Sequence, residues 1–246
     1  MPAAHFRFYE ELNDFLAPDR RKVEFIHTFK LPASIKDMIE SLGVPHTEID
    51  MILVNGKSVD FTCLVQDKDH ISVYPVFETL DITPLVHLRP KPLRKTRFIV
   101  DANLGRLARY LRLIGFDTIY NNDINDIDLV SVSLNENRII LTRDIGVLKR
   151  SLVTHGYFVR ATNPRLQLLE VIDRLNLHNL VSPFSRCTKC NGDIQDVALN
   201  EIEGRLPKGT KETYHHFKQC QRCGQIYWGG PHYRRMRRWF DAILEH

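Results

Sequence analysis

Polar and apolar positions change rhythm along this chain, and the changes mark its parts. Near the N-terminus they alternate: His5-Phe6-Arg7-Phe8-Tyr9 and Val23-Glu24-Phe25-Ile26-His27-Thr28-Phe29 read as two half-buried strands of a hairpin. Ser34 then caps a helix through Ile35, Met38, Ile39 and Leu42, ended by Gly43. Met51-Ile52-Leu53-Val54 is a buried strand, Asn55-Gly56 a type I′ turn, and residues 70–76 a last strand. Cys63, within 59–65, reads as a strand residue. From Arg97 the period lengthens. Residues 97–100 form a strand ending at Asp101, and Leu104, Leu107, Ala108, Leu111 and Ile114 share one face of a helix stopped by Gly115. Residues 116–120, 138–144 and 156–160 are further strands, with helices at 126–134 and 164–177. Strands alternating with helices predict a parallel α/β sheet.

The β-β-α-β-β order of the first region resembles a β-grasp, ubiquitin-like fold of the small sulfur-carrier type. Such carriers end in a flexible Gly-Gly, whereas here the last strand runs on through Pro75-Val76-Phe77-Glu78. The expectation is therefore an interaction or scaffold module. Pro84, Pro90 and Pro92 among basic residues mark a linker. The expected domains are a β-grasp over 1–80, a basic linker over 81–96, an α/β domain over 97–182 and a cysteine-bearing module over 183–246.

No stretch approaches the ~18 apolar residues of a membrane span and no leader is evident, so a soluble, cytoplasmic protein with no membrane partner is expected. The net charge is only +4, but it is unevenly spread. Residues 203–246 carry nine Lys/Arg against four Asp/Glu, and residues 86–100 five Lys/Arg and no acid. Residues 117–137 hold Asp117, Asp123, Asp126, Asp128 and Glu136 with no Lys or Arg. Acids flanked by basic segments suit a metal-dependent nuclease, carboxylates for cations and arginines for phosphates, and equally suit solvated surface charge.

Cys187-x-x-Cys190 and Cys220-x-x-Cys223 place two pairs of thiolates on tight turns, the spacing of a structural Zn²⁺ site. Disulfides or a redox pair are the alternatives. In an open parallel sheet, ligands gather beyond the carboxyl ends of strands. Asp101 and Asp144 stand at such ends, and Asp126 and Asp128 open the intervening helix, where they can cap it. As a set these four suit Mg²⁺ or Mn²⁺, ions that bind a scissile phosphate and acidify a water for in-line attack. Taken singly, each is also an ordinary helix cap. No residue stands out as a general base.

These stretches, Phe98-Ile99-Val100-Asp101-Ala102-Asn103-Leu104-Gly105-Arg106-Leu107-Ala108-Arg109-Tyr110-Leu111-Arg112, Gly115-Phe116-Asp117, Arg138-Ile139-Ile140-Leu141-Thr142-Arg143-Asp144, Arg186-Cys187-x-x-Cys190-Asn191 and Cys220-x-x-Cys223-Gly224 with Tyr227-Trp228-x-Gly230-x-His232, resemble the Mut-seven C-terminal RNase family. The resemblance implies a PIN-like parallel sheet flanked by helices, a zinc ribbon, and, in some members, an N-terminal ubiquitin-like domain. It also implies a metal site at Asp101, the Asp126/Asp128 segment and Asp144. PIN nucleases commonly use a fourth acid on a later strand, and residues 157–161 offer none.

Arg106, Arg109 and Arg112, three apart on one helix, and Arg143 beside Asp144 are candidates to hold phosphates. So are Arg234, Arg235, Arg237 and Arg238 on a C-terminal helix, where Trp239 and Phe240 either stack bases or anchor the helix on the ribbon. His232 is a phosphate ligand, a support for a zinc thiolate, or a surface residue. The leading expectation is a Mg²⁺/Mn²⁺-dependent ribonuclease acting on RNA. The rival is a non-catalytic RNA-binding adaptor whose β-grasp recruits a protein partner.

Overall fold

The computed structural model describes residues 1–75, 88 and 95–244, the side chains of His232 and of residues 241–244 excepted. The expected linker therefore lies almost wholly outside the described residues, as does the side chain of His232. Two compact units form, Met1–Lys95 with Ile124–Val159 and Thr96–Asp123 with Arg160–His246. They interleave along the chain, where the sequence suggests consecutive segments.

The N-terminal elements are β1 (Ala3–Phe8), β2 (Phe25–Thr28), α1 (Ile35–Ser41), β3 (Ile49–Val54), β4 (Lys57–Val59) and β5 (His70–Pro75). The sheet order is β2-β1-β5-β3-β4, with β1 parallel to β5 and the other neighbours antiparallel, which is the β-grasp arrangement. Inward-facing Phe6, Phe8, Ile52 and Val73 meet Ile35 and Ile39 of α1 in one buried core. The Ser34 hydroxyl accepts the Asp37 N–H and so caps α1, as the sequence predicts. Asn55 and Gly56 take φ of 51° and 78°, the left-handed pair a type I′ turn requires. Cys63 differs from expectation. The Asp60 carboxylate accepts the Thr62 N–H, an Asx turn that takes the chain out of the strand after Val59.

The mixed α/β part contains β6 (Arg97–Val100), α2 (Gly105–Leu113), β7 (Asp117–Tyr120), α3 (Asp126–Glu136), β8 (Ile139–Thr142), α4 (Ile145–Leu148), β9 (Gly156–Phe158) and α5 (Pro164–Arg174). β6 pairs in parallel with β7, and β8 with β9. Each pair is parallel and accompanied by helices, as expected from the apolar strands. Gly115 ends α2 at φ 101°, and a Cβ there would strike the Ser182 carbonyl, so two constraints require glycine.

Within the first unit the β-grasp binds the edge strand β9. The Phe158 N–H points away from β8 and donates to Glu48 Oε1 at 2.8 Å, and Glu48 is 0% exposed. His46 bridges Glu40 Oε1 at 2.6 Å and the Val153 carbonyl at 2.9 Å, while Lys149 Nζ donates to the Glu40 carbonyl at 2.5 Å. Phe15 packs edge-on against Phe158. An open strand edge is thereby covered by the chain's own N-terminal domain. Glu48→Ala takes this acceptor from the part-buried Phe158 N–H and empties a fully buried site, and is expected to cost about 2 kcal/mol in urea unfolding. A change within about 0.5 kcal/mol, the range of neutral surface substitutions, would show that this contact holds nothing.

The C-terminal elements are β10 (Ile194–Val197), α6 (Leu199–Ile202), α7 (Thr210–Thr213), β11 (Phe217–Cys220), β12 (Ile226–Trp228) and α8 (Pro231–Leu244). β10, β11 and β12 form an antiparallel ribbon whose buried core is Ile202, Phe217 and Ile226. α8 is anchored by Trp239, whose ring lies 5.2 Å from Tyr110 of α2 and beneath the Arg165 guanidinium of α5. The anchor expected on the ribbon is thus on the α/β helices, and Phe240 beside it is buried.

Candidate metal centre and nucleic-acid interface

The four knuckle cysteines come together. Their sulfurs all lie within 4.8 Å of one another, with Cys187 to Cys223 at 3.6 Å and Cys190 to Cys220 at 3.4 Å, and no disulfide joins them. Four thiolates around a tetrahedral Zn²⁺ sit about 3.8 Å apart, so this spacing fits the ion. Each knuckle is shaped by backbone. The Asn191 N–H donates to the Cys187 carbonyl and the Gly224 N–H to that of Cys220, with Asn191 and Gly224 at φ 66° and 68°. The N–H groups of Cys190 and Cys223 point at the sulfurs of Cys187 and Cys220. Gly192 is needed here because a Cβ would lie 2.8 Å from Arg222 Cβ and 3.0 Å from Cys220 Sγ. Burial pushes the Cys187 thiol up, but donation from the Tyr227 hydroxyl and the Cys190 and Lys189 N–H groups outweighs it and brings the thiol to about 7. A sulfur so supported is a ready thiolate ligand.

The first knuckle is tied to the α/β elements of its own unit. Arg112 Nε donates to the Thr118 carbonyl at 2.8 Å, and Nη1 to the carbonyls of Thr188 and Lys189 at 3.3 and 3.2 Å. Asn191 accepts the Thr118 N–H at 2.9 Å and donates to Asp117 Oδ1 at 2.7 Å. Arg112 is only 6% exposed. Burial pulls its guanidinium down from the ordinary value, and the sulfurs of Cys187 and Cys190 and the Asp117 carboxylate counter that. The phosphate-holding role expected of Arg112 therefore gives way to a structural one. Its position explains why: it lies one turn after Ala108, at the edge of the apolar face of α2, nearer that face than Arg106 or Arg109.

The four acids meet different fates. Asp101 follows β6, and its side chain does not cap the short turn at 102–104. Asp144 follows β8 and does cap, its Oδ1 accepting the Gly146 N–H of α4 at 2.7 Å. Asp126 and Asp128 open α3, but Asn125 is the cap, accepting the Asp128 N–H. This corrects the capping role expected of those two acids, because an amide oxygen one residue earlier takes it. Asp126 instead pairs with Arg150 at 3.0 Å, and Asp128 accepts the Asn125 amide at 2.8 Å. Glu170 of α5 is an acid the sequence reading passed over. Its two oxygens accept the N–H groups of Arg160 and Ala161 at 2.8 Å each, which makes it a backbone clamp.

The remaining candidate arginines are exposed. Arg106 and Arg109 lie on the outer side of α2, and Arg234, Arg235, Arg237 and Arg238 on α8. Arg143 is exposed too, with Nη1 donating to the Val159 carbonyl at 2.8 Å. Arg234 reaches the Tyr214 hydroxyl and Arg237 the Tyr233 hydroxyl, both at 3.4 Å. Long guanidinium side chains on a helix surface are suited to phosphate contact.

Among the described residues no helix is long and apolar enough to cross a membrane. Neither the curated proteins nor the solved structures contain a match to the chain. Two family models do match, in the order the fold displays: Mut7-C ubiquitin over residues 1–81, and Mut7-C RNAse domain over residues 96–240. The second spans more than half of the sequence, across the parallel strands, the cysteine cluster and most of α8. The chain is a member of the Mut7-C RNAse domain family, preceded by that family's ubiquitin-like domain.

Proposed function

We propose that the protein is a Mg²⁺- or Mn²⁺-dependent ribonuclease that hydrolyses RNA phosphodiester bonds. The observation that carries this reading is the RNase family match over 96–240, a span in which the parallel strand β6 leads directly into Asp101. Hard carboxylate oxygens are the donors these ions take, and Asp101, Asp126, Asp128 and Asp144 would hold them. When bound, the ions would neutralise the scissile phosphate and acidify an attacking water. Arg106, Arg109, Arg143 and the α8 arginines hold the RNA backbone, so affinity falls steeply with salt. Zinc in the four-cysteine cluster is structural. Its thiolates require a compartment that keeps cysteines reduced, which favours the cytoplasm.

Purified protein should cleave RNA with Mn²⁺, and Asp101→Asn should abolish cleavage while leaving RNA affinity unchanged. If neither protein cleaves but both bind, the family fold serves here as an RNA-binding adaptor. One observation favours that second reading: Asp126 and Asp144 already serve an ion pair and a helix cap. In either reading the ubiquitin-like domain recruits a protein partner through surface other than residues 40–48, which hold residues 149–158.

A further inference from the structure

A second group of ligating side chains lies on the outer side of the β-grasp sheet. Ala4, Phe6 and Phe8 of β1 are buried, so the strand alternation turns His5 outward. β1 and β5 run parallel with His5 directly opposite His70, and the two imidazoles stack with centroids 4.4 Å apart. Glu24, immediately before β2, reaches both rings. Its Oε1 is 3.0 Å from His5 Nδ1 and its Oε2 3.7 Å from His70 Nδ1.

We propose that His5, Glu24 and His70 form a binding site for a divalent transition ion of the Zn²⁺ class. Two ring nitrogens facing one carboxylate must be held together by protons or by a cation. Around an ion with Zn–N and Zn–O bonds of this class, adjacent ligand atoms sit about 3.3 Å apart. The His5–Glu24 separation of 3.0 Å is close to that value, and one ligand atom from each of the three side chains lies within 4.8 Å of the others. Two imidazoles and one carboxylate suit Zn²⁺, Ni²⁺ or Cu²⁺, whereas Mg²⁺ and Ca²⁺ take oxygen ligands. The side chains are 33%, 47% and 60% exposed for His5, Glu24 and His70, which leaves an entry path and room for water to complete the coordination. Binding asks the rings to turn out of their parallel stack until both lone pairs meet the ion. The exposed His70 is free of core packing and can make that turn. Strand pairing already fixes the backbones of His5 and His70, so little ordering remains to oppose binding. The bound ion would tie β1, β5 and the segment entering β2 together.

The test uses the full chain with its cysteine cluster loaded with zinc. Further Zn²⁺ is titrated calorimetrically into the wild type and into His5→Gln, His70→Gln and Glu24→Gln. The wild type should bind an additional equivalent that each variant weakens about tenfold or more, since loss of a direct ligand exceeds the 10–100-fold typical of outer contacts. Melting temperature should rise with added Zn²⁺ in the wild type and not in the His variants. Zinc taken up by the acids of the α/β part would persist in all three variants and so remains distinguishable. Identical stoichiometry and affinity in wild type and variants would overturn the proposal, as would the lack of any additional equivalent in the wild type.

Discussion

Stripping zinc with a strong chelator, or replacing Cys220 by Ser, is expected to unfold the ribbon and loosen the α/β elements bound to it. The ribbon's buried core consists of Ile202, Phe217 and Ile226 with partly buried neighbours, too little apolar surface to order some fifty residues unaided. Structural zinc contributes about 10–16 kcal/mol of apparent binding free energy at neutral pH, which is ample to make folding depend on it. The effect should travel. Asn191 holds the Thr118 N–H and the Asp117 carboxylate, and the Thr188 and Lys189 carbonyls hold Arg112. Hydrogen exchange should show lost protection across β10–β12, faster exchange at Thr118, and no change in β1 and β5 of the β-grasp. Protection of β10–β12 that survives complete zinc removal would mean the cluster does not hold the ribbon.

Arg112→Ala should be the most damaging of the arginine substitutions, costing about 3 kcal/mol or more of stability. The change leaves the Thr118 carbonyl without its donor in a buried setting, a loss of about 1–3 kcal/mol, and removes the part-buried bonds to the Thr188 and Lys189 carbonyls as well. It also removes the positive charge set against the knuckle sulfurs. Arg112→Lys should rescue little, because a single ammonium cannot reproduce a planar fork spread over three acceptors. Arg106→Ala and Arg109→Ala, by contrast, should leave stability within about 0.5 kcal/mol, as for exposed sites generally, and lower RNA affinity. Urea unfolding and RNA binding measured side by side separate the two classes. If Arg112→Ala unfolds like wild type and loses RNA binding like Arg109→Ala, the structural role assigned to Arg112 is wrong.

Much of the fold was legible because its signals are local. The Ser34 cap, the Asn55-Gly56 turn, the apolar face of α2 and the paired knuckles each depend on residues within a few positions of one another. The candidate site was legible only as a list of residues. Asp144 reads identically as a cap or as a ligand until the Gly146 N–H is seen on its oxygen. Asn125, not Asp126 or Asp128, captures the start of α3, a choice among neighbours of nearly equal propensity. The trio of His5, Glu24 and His70 left no signal, since parallel pairing of β1 with β5 joins residues 65 positions apart.

The sequence by itself determined the secondary elements, the zinc-type knuckles and the family, because periodicity, turn chemistry and ligand spacing are short-range properties of the chain. Only the tertiary structure decided that Arg112 is a buried tie to the knuckle, that Glu48 closes the edge of β9, and that α8 rests on α2 and α5. The physical reason is common to all three. A side chain with both apolar and polar parts, such as Arg, Glu or Trp, is written the same whether it meets water or a buried partner, and which it meets depends on what distant segment folds against it.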